Sequence, residues 1–183
     1  HGLSLAGYLF VYEGDEIIIP DLNWDNYELI FKTGFNAKFI TYETFKNNNF
    51  NVDGMVNAIK NSQSKKKIIL LNFPNNPTGY SVTTEEAFLI KNNLLRLAQN
   101  GEKLLVILDD AYFGLFYEPS TYKESLFSLL SDLHENILAV KLDGPTKEDY
   151  VWSFRIGFIS LATKNSTEKQ LKAFEAKAAG AVR

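Results

Sequence analysis

The chain has no cysteine, which excludes a disulfide framework and a thiol nucleophile. Histidine is almost as scarce. The only two, His1 and His134, lie far apart in sequence, so a histidine-based metal site is not expected. Apolar runs are short: none reaches the roughly 18 uninterrupted residues of a membrane span, and the first residues do not read as a signal peptide. An excess of positive charge is also missing. A net charge of -3 and a pI near 5.5 argue against nucleic acid or an anionic membrane as partners. The 183 residues suit one domain, long enough to bury roughly two-thirds of its unfolded surface. The expectation from composition is a soluble, cytoplasmic protein.

Only five prolines occur, yet two of them stand three residues apart in Asn72-Phe73-Pro74-Asn75-Asn76-Pro77-Thr78-Gly79, directly after the apolar run Ile68-Ile69-Leu70-Leu71. This predicts a strand that stops in a stiff polar loop, because proline gives no N–H to a sheet ladder and restricts the residue before it. Loops of this kind at strand ends are where sites are built. Asn76, oriented by Pro77, offers a ligand both a donor and an acceptor. Taken alone the octapeptide also suits an ordinary turn, since Asn, Pro and Gly dominate turns for backbone reasons.

The order of elements reads as α/β. A helix over Leu3 to Tyr12 is followed by a strand from Glu16 to Ile19, a helix from about Asp25 to Lys32 and a strand from Ala37 to Tyr42. Asn47-Asn48-Asn49 reads as loop, and Val52 to Asn61 as a helix with Val52, Met55, Val56 and Ile59 on one face. Thr83 and Glu86 form a capping box that opens a helix running to Asn100-Gly101. Strands at 104–109 and 137–142 flank a helix near Leu126 to Leu133; Phe154 to Leu161 is a further strand, and a last helix carries Leu171, Phe174 and Ala178 on one face. Continuous apolar strands alternating with helices mean a mostly parallel sheet flanked by helices on both faces. Its ligand belongs at the carboxyl ends of the strands, near Asn76 and Asp109.

Two more segments complete a pattern. The run Leu104-Leu105-Val106-Ile107-Leu108 ends in Asp109-Asp110-Ala111-Tyr112, and Ile137-Leu138-Ala139-Val140 leads into Gly144-Pro145-Thr146-Lys147, with Arg155 eight residues beyond the lysine. Together these resemble the class I/II aminotransferases, fold-type I enzymes that use pyridoxal 5′-phosphate (PLP). The motifs of that family include N-P-x-N-P-T-G, D-x-A-Y, and a lysine preceded by Ser or Thr with an arginine eight residues on. The resemblance runs from the first residues to about Phe158.

The resemblance implies a PLP-dependent transferase large domain and a role for each matching residue. Lys147 is implied as the Schiff base lysine, an amine that then serves as acid and base at the substrate α-carbon. Asp109 places a carboxylate against the pyridine nitrogen and favours its protonated form; Asp110, on the other side of the strand, does not. Tyr112 offers its hydroxyl to the cofactor's phenolic oxygen beside Asn76. Arg155 clamps the phosphate with two parallel hydrogen bonds, and Thr146 adds a hydroxyl. Trp24, in Pro20-Asp21-Leu22-Asn23-Trp24-Asp25-Asn26-Tyr27, matches an aromatic residue that stacks on the cofactor ring. Away from the resemblance, Trp24 and Tyr112 read as packing residues, Asp109 as a turn cap and Lys147 as a solvated surface lysine.

The chain departs from the family in places. Gly144 stands where members often supply a hydroxyl to the phosphate, and the Glu148-Asp149 pair beside the lysine is unusual. The resemblance further implies that residues 1–183 are a cofactor-binding domain cut at both ends, without the Gly-rich phosphate loop upstream or the small domain with its carboxylate-binding arginine downstream. Such a piece is expected to fold but to show no appreciable transamination. Three functions fit: an aminotransferase acting on an amino acid and a 2-oxo acid, homodimeric at full length; a PLP-dependent C–S lyase; and a PLP-binding sensor domain of a transcription regulator.

Overall fold

In a computed structural model, which describes residues 1–182, a six-stranded sheet has the order β2-β1-β5-β6-β7-β8. The strands are β1 (Glu16–Pro20), β2 (Lys38–Tyr42), β5 (Lys66–Asn72), β6 (Lys103–Asp109), β7 (Ile137–Asp143) and β8 (Phe158–Ala162). The first five in that order are parallel, and β8 alone runs antiparallel, against β7. The expected mostly parallel α/β sheet is therefore present. Its inner strands β5 and β6 carry unbroken apolar runs over 68–71 and 104–108 because both faces are covered there.

Side-chain alternation sorts each strand into two cores. Ile18, Ile69, Leu71, Val106 and Leu108 face α2 (Val52–Asn61), α3 (Thr84–Gln99) and α4 (Leu126–Leu130). Ile17, Ile68, Leu70, Leu105 and Ile107 face α1 (Gly2–Phe10), the helical turn around Tyr27 and Phe31, and Phe174 and Ala178 of α6 (Glu168–Ala181). On α2 the expected apolar face is the buried one; Met55 and Ile59 are fully enclosed, each contributing about 1.5–3 kcal/mol. Helix α1 packs so closely that a Cβ on Gly7 would lie 2.2 Å from the Phe35 ring.

The capping box at α3 is present, and Glu86 does more than close it. Its buried carboxylate accepts from the N–H of Thr83 (2.8 Å), the N–H of Phe50 (2.8 Å) and the Tyr80 hydroxyl (2.8 and 2.9 Å). One side chain thus ties together a helix start, a loop and a hairpin.

Several expectations need correction. The helix over 25–32 is π-helical across Glu28–Thr33, Gly34 donating to the carbonyl of Leu29 five residues back; the wide turn buries Phe31 and leaves Leu29 exposed. Asn49 belongs to a strand, because Asn47 and Asn48 at φ 52° and 63° form the two-residue turn of a hairpin between β3 (Phe45–Lys46) and β4 (Asn49–Phe50). The strand expected from Phe154 starts only at Phe158, since Trp152–Phe154 is a 3-10 turn and Arg155 is left-handed at φ 53°. Helix α4 ends at Leu130 rather than near Leu133, and Leu171 on α6 is exposed while Phe174 and Ala178 pack. A short helix, α5 (Pro145–Glu148), was not anticipated.

Candidate active site

The strand register brings the site residues to one edge of the sheet. Asn72, last of β5, pairs with Asp109, last of β6, and Asp109 pairs with Leu142 of β7. The segments that carry Asn76, Tyr112 and Lys147 therefore leave the carboxyl ends of three adjacent parallel strands, where ligands of such sheets sit.

Asn72 locks the first two together. Its amide donates to the carbonyl of Asp109 and accepts from the N–H of Asn76, both at 2.7 Å. Asn75 stiffens the loop: buried, it accepts from the N–H and hydroxyl of Thr78 at 3.2 and 2.6 Å and donates to the carbonyl of Leu22. Both prolyl peptides of the loop, Phe73–Pro74 and Asn76–Pro77, are cis. The prolines and these amides together hold the loop; Asn72 and Asn75 were not among the expected site residues, because nothing in their local sequence distinguishes an anchor from a turn asparagine. With its backbone held, the Asn76 side-chain amide makes no hydrogen bond among the described residues.

Asp109 and Asp110 point to opposite faces of β6, as alternation requires. Asp109 is 6% exposed and lies on the α1 face, where the Tyr27 hydroxyl donates to Oδ2 at 2.6 Å and the N–H of Ala111 to Oδ1 at 3.2 Å. Burial pushes its pKa up, and these two bonds hold it down. Burial and the neighbouring carboxylate together raise Tyr27 well above the usual phenol value, so it stays a donor. Tyr27 was not among the expected site residues; it is three after Trp24, and the Trp24 ring meets its edge at 5.5 Å. Trp24 is half-buried against the α1-face core. Asp110 faces the other core. Burial lifts its pKa to about 6, countered by the nearby Ser125 hydroxyl and by the Lys141 ammonium.

Lys147 sits on α5 with its ammonium 5.1 Å from the centre of the Tyr112 ring. Lysine and tyrosine are thus brought together, one exposed and one half-buried. Neither Lys147 nor Arg155 has a carboxylate partner among the described residues, and the hydroxyls of Tyr112 and Thr146 are likewise unspent. Arg155 makes only a long 3.4 Å bond to the carbonyl of Trp152. Gly144 has a structural reason to lack a side chain, since a Cβ there would stand 3.0 Å from the carbonyl oxygen of Ile156. Glu148 turns away toward Gly114, whose left-handed backbone it covers.

Lys147 and Arg155 without carboxylate partners, two free hydroxyls and a free amide are groups of the kind that bind acidic ligands, and among them Lys147 and Tyr112 are in direct contact.

Comparison with known proteins identifies the family. Residues 1–178 match the family model described as "Aminotransferase class I and II". The chain belongs to that family. An aspartate aminotransferase of Sulfolobus acidocaldarius is 27% identical over 169 residues, which cover 91% of this chain and 39% of that protein. A histidinol-phosphate aminotransferase of Haemophilus influenzae is 32% identical over 157 residues, 85% of this chain and 38% of that protein. Among solved structures, an aminotransferase from Anaerococcus prevotii superposes on the whole chain with a TM-score of 0.87 at 28% identity, this chain covering 45% of it. The class I and II domain seen here thus spans about two-fifths of the length of these relatives.

Proposed function

We propose that this chain forms the cofactor-binding part of a PLP-dependent aminotransferase that moves an amino group between an amino acid and a 2-oxo acid. The observation that carries the reading is the meeting of Lys147, beyond the end of β7, with Tyr112, on the segment that leaves β6 just after the buried Asp109. PLP, when bound, supplies the electron sink that a protein side chain cannot.

The chain's own residues would do the rest. Asp109 would accept from the protonated ring nitrogen, already oriented by Tyr27 and Ala111. Tyr112 and Asn76 would hold the phenolic oxygen. Arg155 and Thr146 would take the phosphate, and Trp24 would cover one ring face. Lys147 would be the covalent anchor and then carry the proton to and from the substrate α-carbon. The relatives named above are all transferases, which favours transfer over the lyase and sensor readings. A cytoplasmic homodimer at full length is part of this proposal.

Borohydride reduction of the full-length protein with PLP, followed by peptide mapping, tests it. The reduced adduct is expected on Lys147. An adduct on Lys141 or Lys164, or none at all, would remove the basis for the site.

A further inference from the structure

The carboxylate that the proposed chemistry leaves idle opens a different question. Asp110 is 5% exposed, and no donor among the described residues reaches hydrogen-bond range of its Oδ2. The nearest cation, the Lys141 ammonium, stands 3.8 Å away and is spent on Asp143 at 2.7 Å. A buried carboxylate oxygen without a donor is costly and uncommon.

Asp110 forms part of the wall of a pocket on the α3–α4 side of the sheet, away from Asp109. The pocket measures about 370 Å³ including its open mouth, with about 20 Å³ of room for a water-sized group at its narrow part. The wall is otherwise largely apolar, with the rings of Phe113, Phe116 and Tyr122, and it carries a second acid, Glu124, and two hydroxyls, Ser81 and Ser125. The protein already places ammonium groups over two of these rings, Lys141 at 5.0 Å from Phe113 and Lys123 at 4.9 Å from Phe116. Their aromatic faces therefore present the potential an ammonium seeks. Lys123 is itself occupied, donating to the carbonyl of Glu118.

We infer that this pocket is a second ligand site, one for a small primary alkylammonium whose head donates to Asp110 and whose apolar body lies against the Phe113 and Phe116 rings. A divalent metal fits poorly, since no group of three metal-ligating side chains occurs among the described residues. An uncharged alcohol would leave the Asp110 carboxylate uncompensated. A quaternary ammonium carries the charge but no N–H for Oδ2. The site does not depend on the aminotransferase reading, because it shares neither residues nor sheet face with the proposed cofactor pocket.

Titration of the amide spectrum of the protein with n-butylammonium chloride tests the inference, with tetramethylammonium chloride and 1-butanol as matched probes. Saturating shifts around Asp110, Phe113 and Ser125 are expected for n-butylammonium, with a dissociation constant on the order of 1 mM, within the ceiling for five heavy atoms. Binding should weaken roughly tenfold or more for either matched probe and in Asp110→Asn, the loss expected for a hydrogen bond to a charged group. Phe116→Leu, which keeps apolar volume but removes a ring, should weaken it roughly threefold and keeps the question answerable should Asp110→Asn fold poorly. No saturable shift, equal shifts with tetramethylammonium, or unchanged affinity in both variants would overturn the site.

Discussion

Asp110→Asn should make the folded protein more stable at neutral pH, although it removes one member of an ion pair. Burial raises the Asp110 pKa from 3.8 to about 6. A shift of about two units corresponds to roughly 3 kcal/mol, at 1.36 kcal/mol per unit. The sign follows from proton binding. Between the two values the folded chain holds a proton that the unfolded chain has released, so the favourable contribution is complete below the unfolded pKa and fades as pH rises through about 6. Above that pH the folded protein bears the cost of a charged, donor-poor carboxylate. Asparagine is neutral throughout and escapes it, but its amide needs partners of its own and Lys141 loses an attraction. A net gain of about 1–2 kcal/mol near pH 8, shrinking to about zero near pH 4, is therefore expected. Urea unfolding of both proteins at the two pH values measures it. If the variant is the less stable near pH 8, or if the difference is the same at both pH values, the electrostatic account of Asp110 is wrong.

In the full-length protein, Asp109→Ala should lower turnover by several orders of magnitude while Asp110→Ala leaves it within about tenfold; steady-state kinetics showing equal losses would reverse the assignment of the strand faces. Tyr27→Phe deletes only the 2.6 Å bond to Asp109, a bond that holds the carboxyl down against burial, so the Asp109 carboxyl, followed by carbon NMR, should titrate higher, and an unmoved titration would show that Tyr27 is mere packing. Glu86→Ala strands the N–H groups of Phe50 and Thr83 and the Tyr80 hydroxyl. It should cost about 2–4 kcal/mol in chemical unfolding, and the Tyr80 phenol, now pushed up to about 12 by burial and by Glu86, should titrate lower; a loss under about 1 kcal/mol would refute the hub.

The sheet was legible because its inner strands are apolar on both faces, a signal that runs such as 104–108 carry within a few residues. Helix α3 was legible at its start for a similar reason: Thr83 and Glu86 interact over three positions. Less local facts were hidden. The Tyr27–Asp109 bond joins residues 82 apart, and Asn72 reaches Asp109 across 37; nothing short-range distinguishes either from a packing tyrosine or a turn asparagine. The left-handed Arg155 defeated the strand boundary, because a bulky residue at positive φ runs against its intrinsic preference. Motif spacing located Lys147 and Tyr112 but not their contact, which depends on the short helix α5.

Asn72 also bears on how positional error accumulates. Asn76 and the end of β6 are joined covalently through more than thirty residues of helix and loop, any of which can flex, yet their spacing is set through a single amide and two 2.7 Å bonds. Fluctuations in α3 or in the loops around it are thereby kept from reaching the separation between the two groups. The amide protons of Asn76 and of the β6 end should then exchange with solvent as one cooperative unit rather than as a loop and a strand. Sequence drift in the intervening helix would be tolerated for the same reason, while drift at position 72 would displace both partners at once.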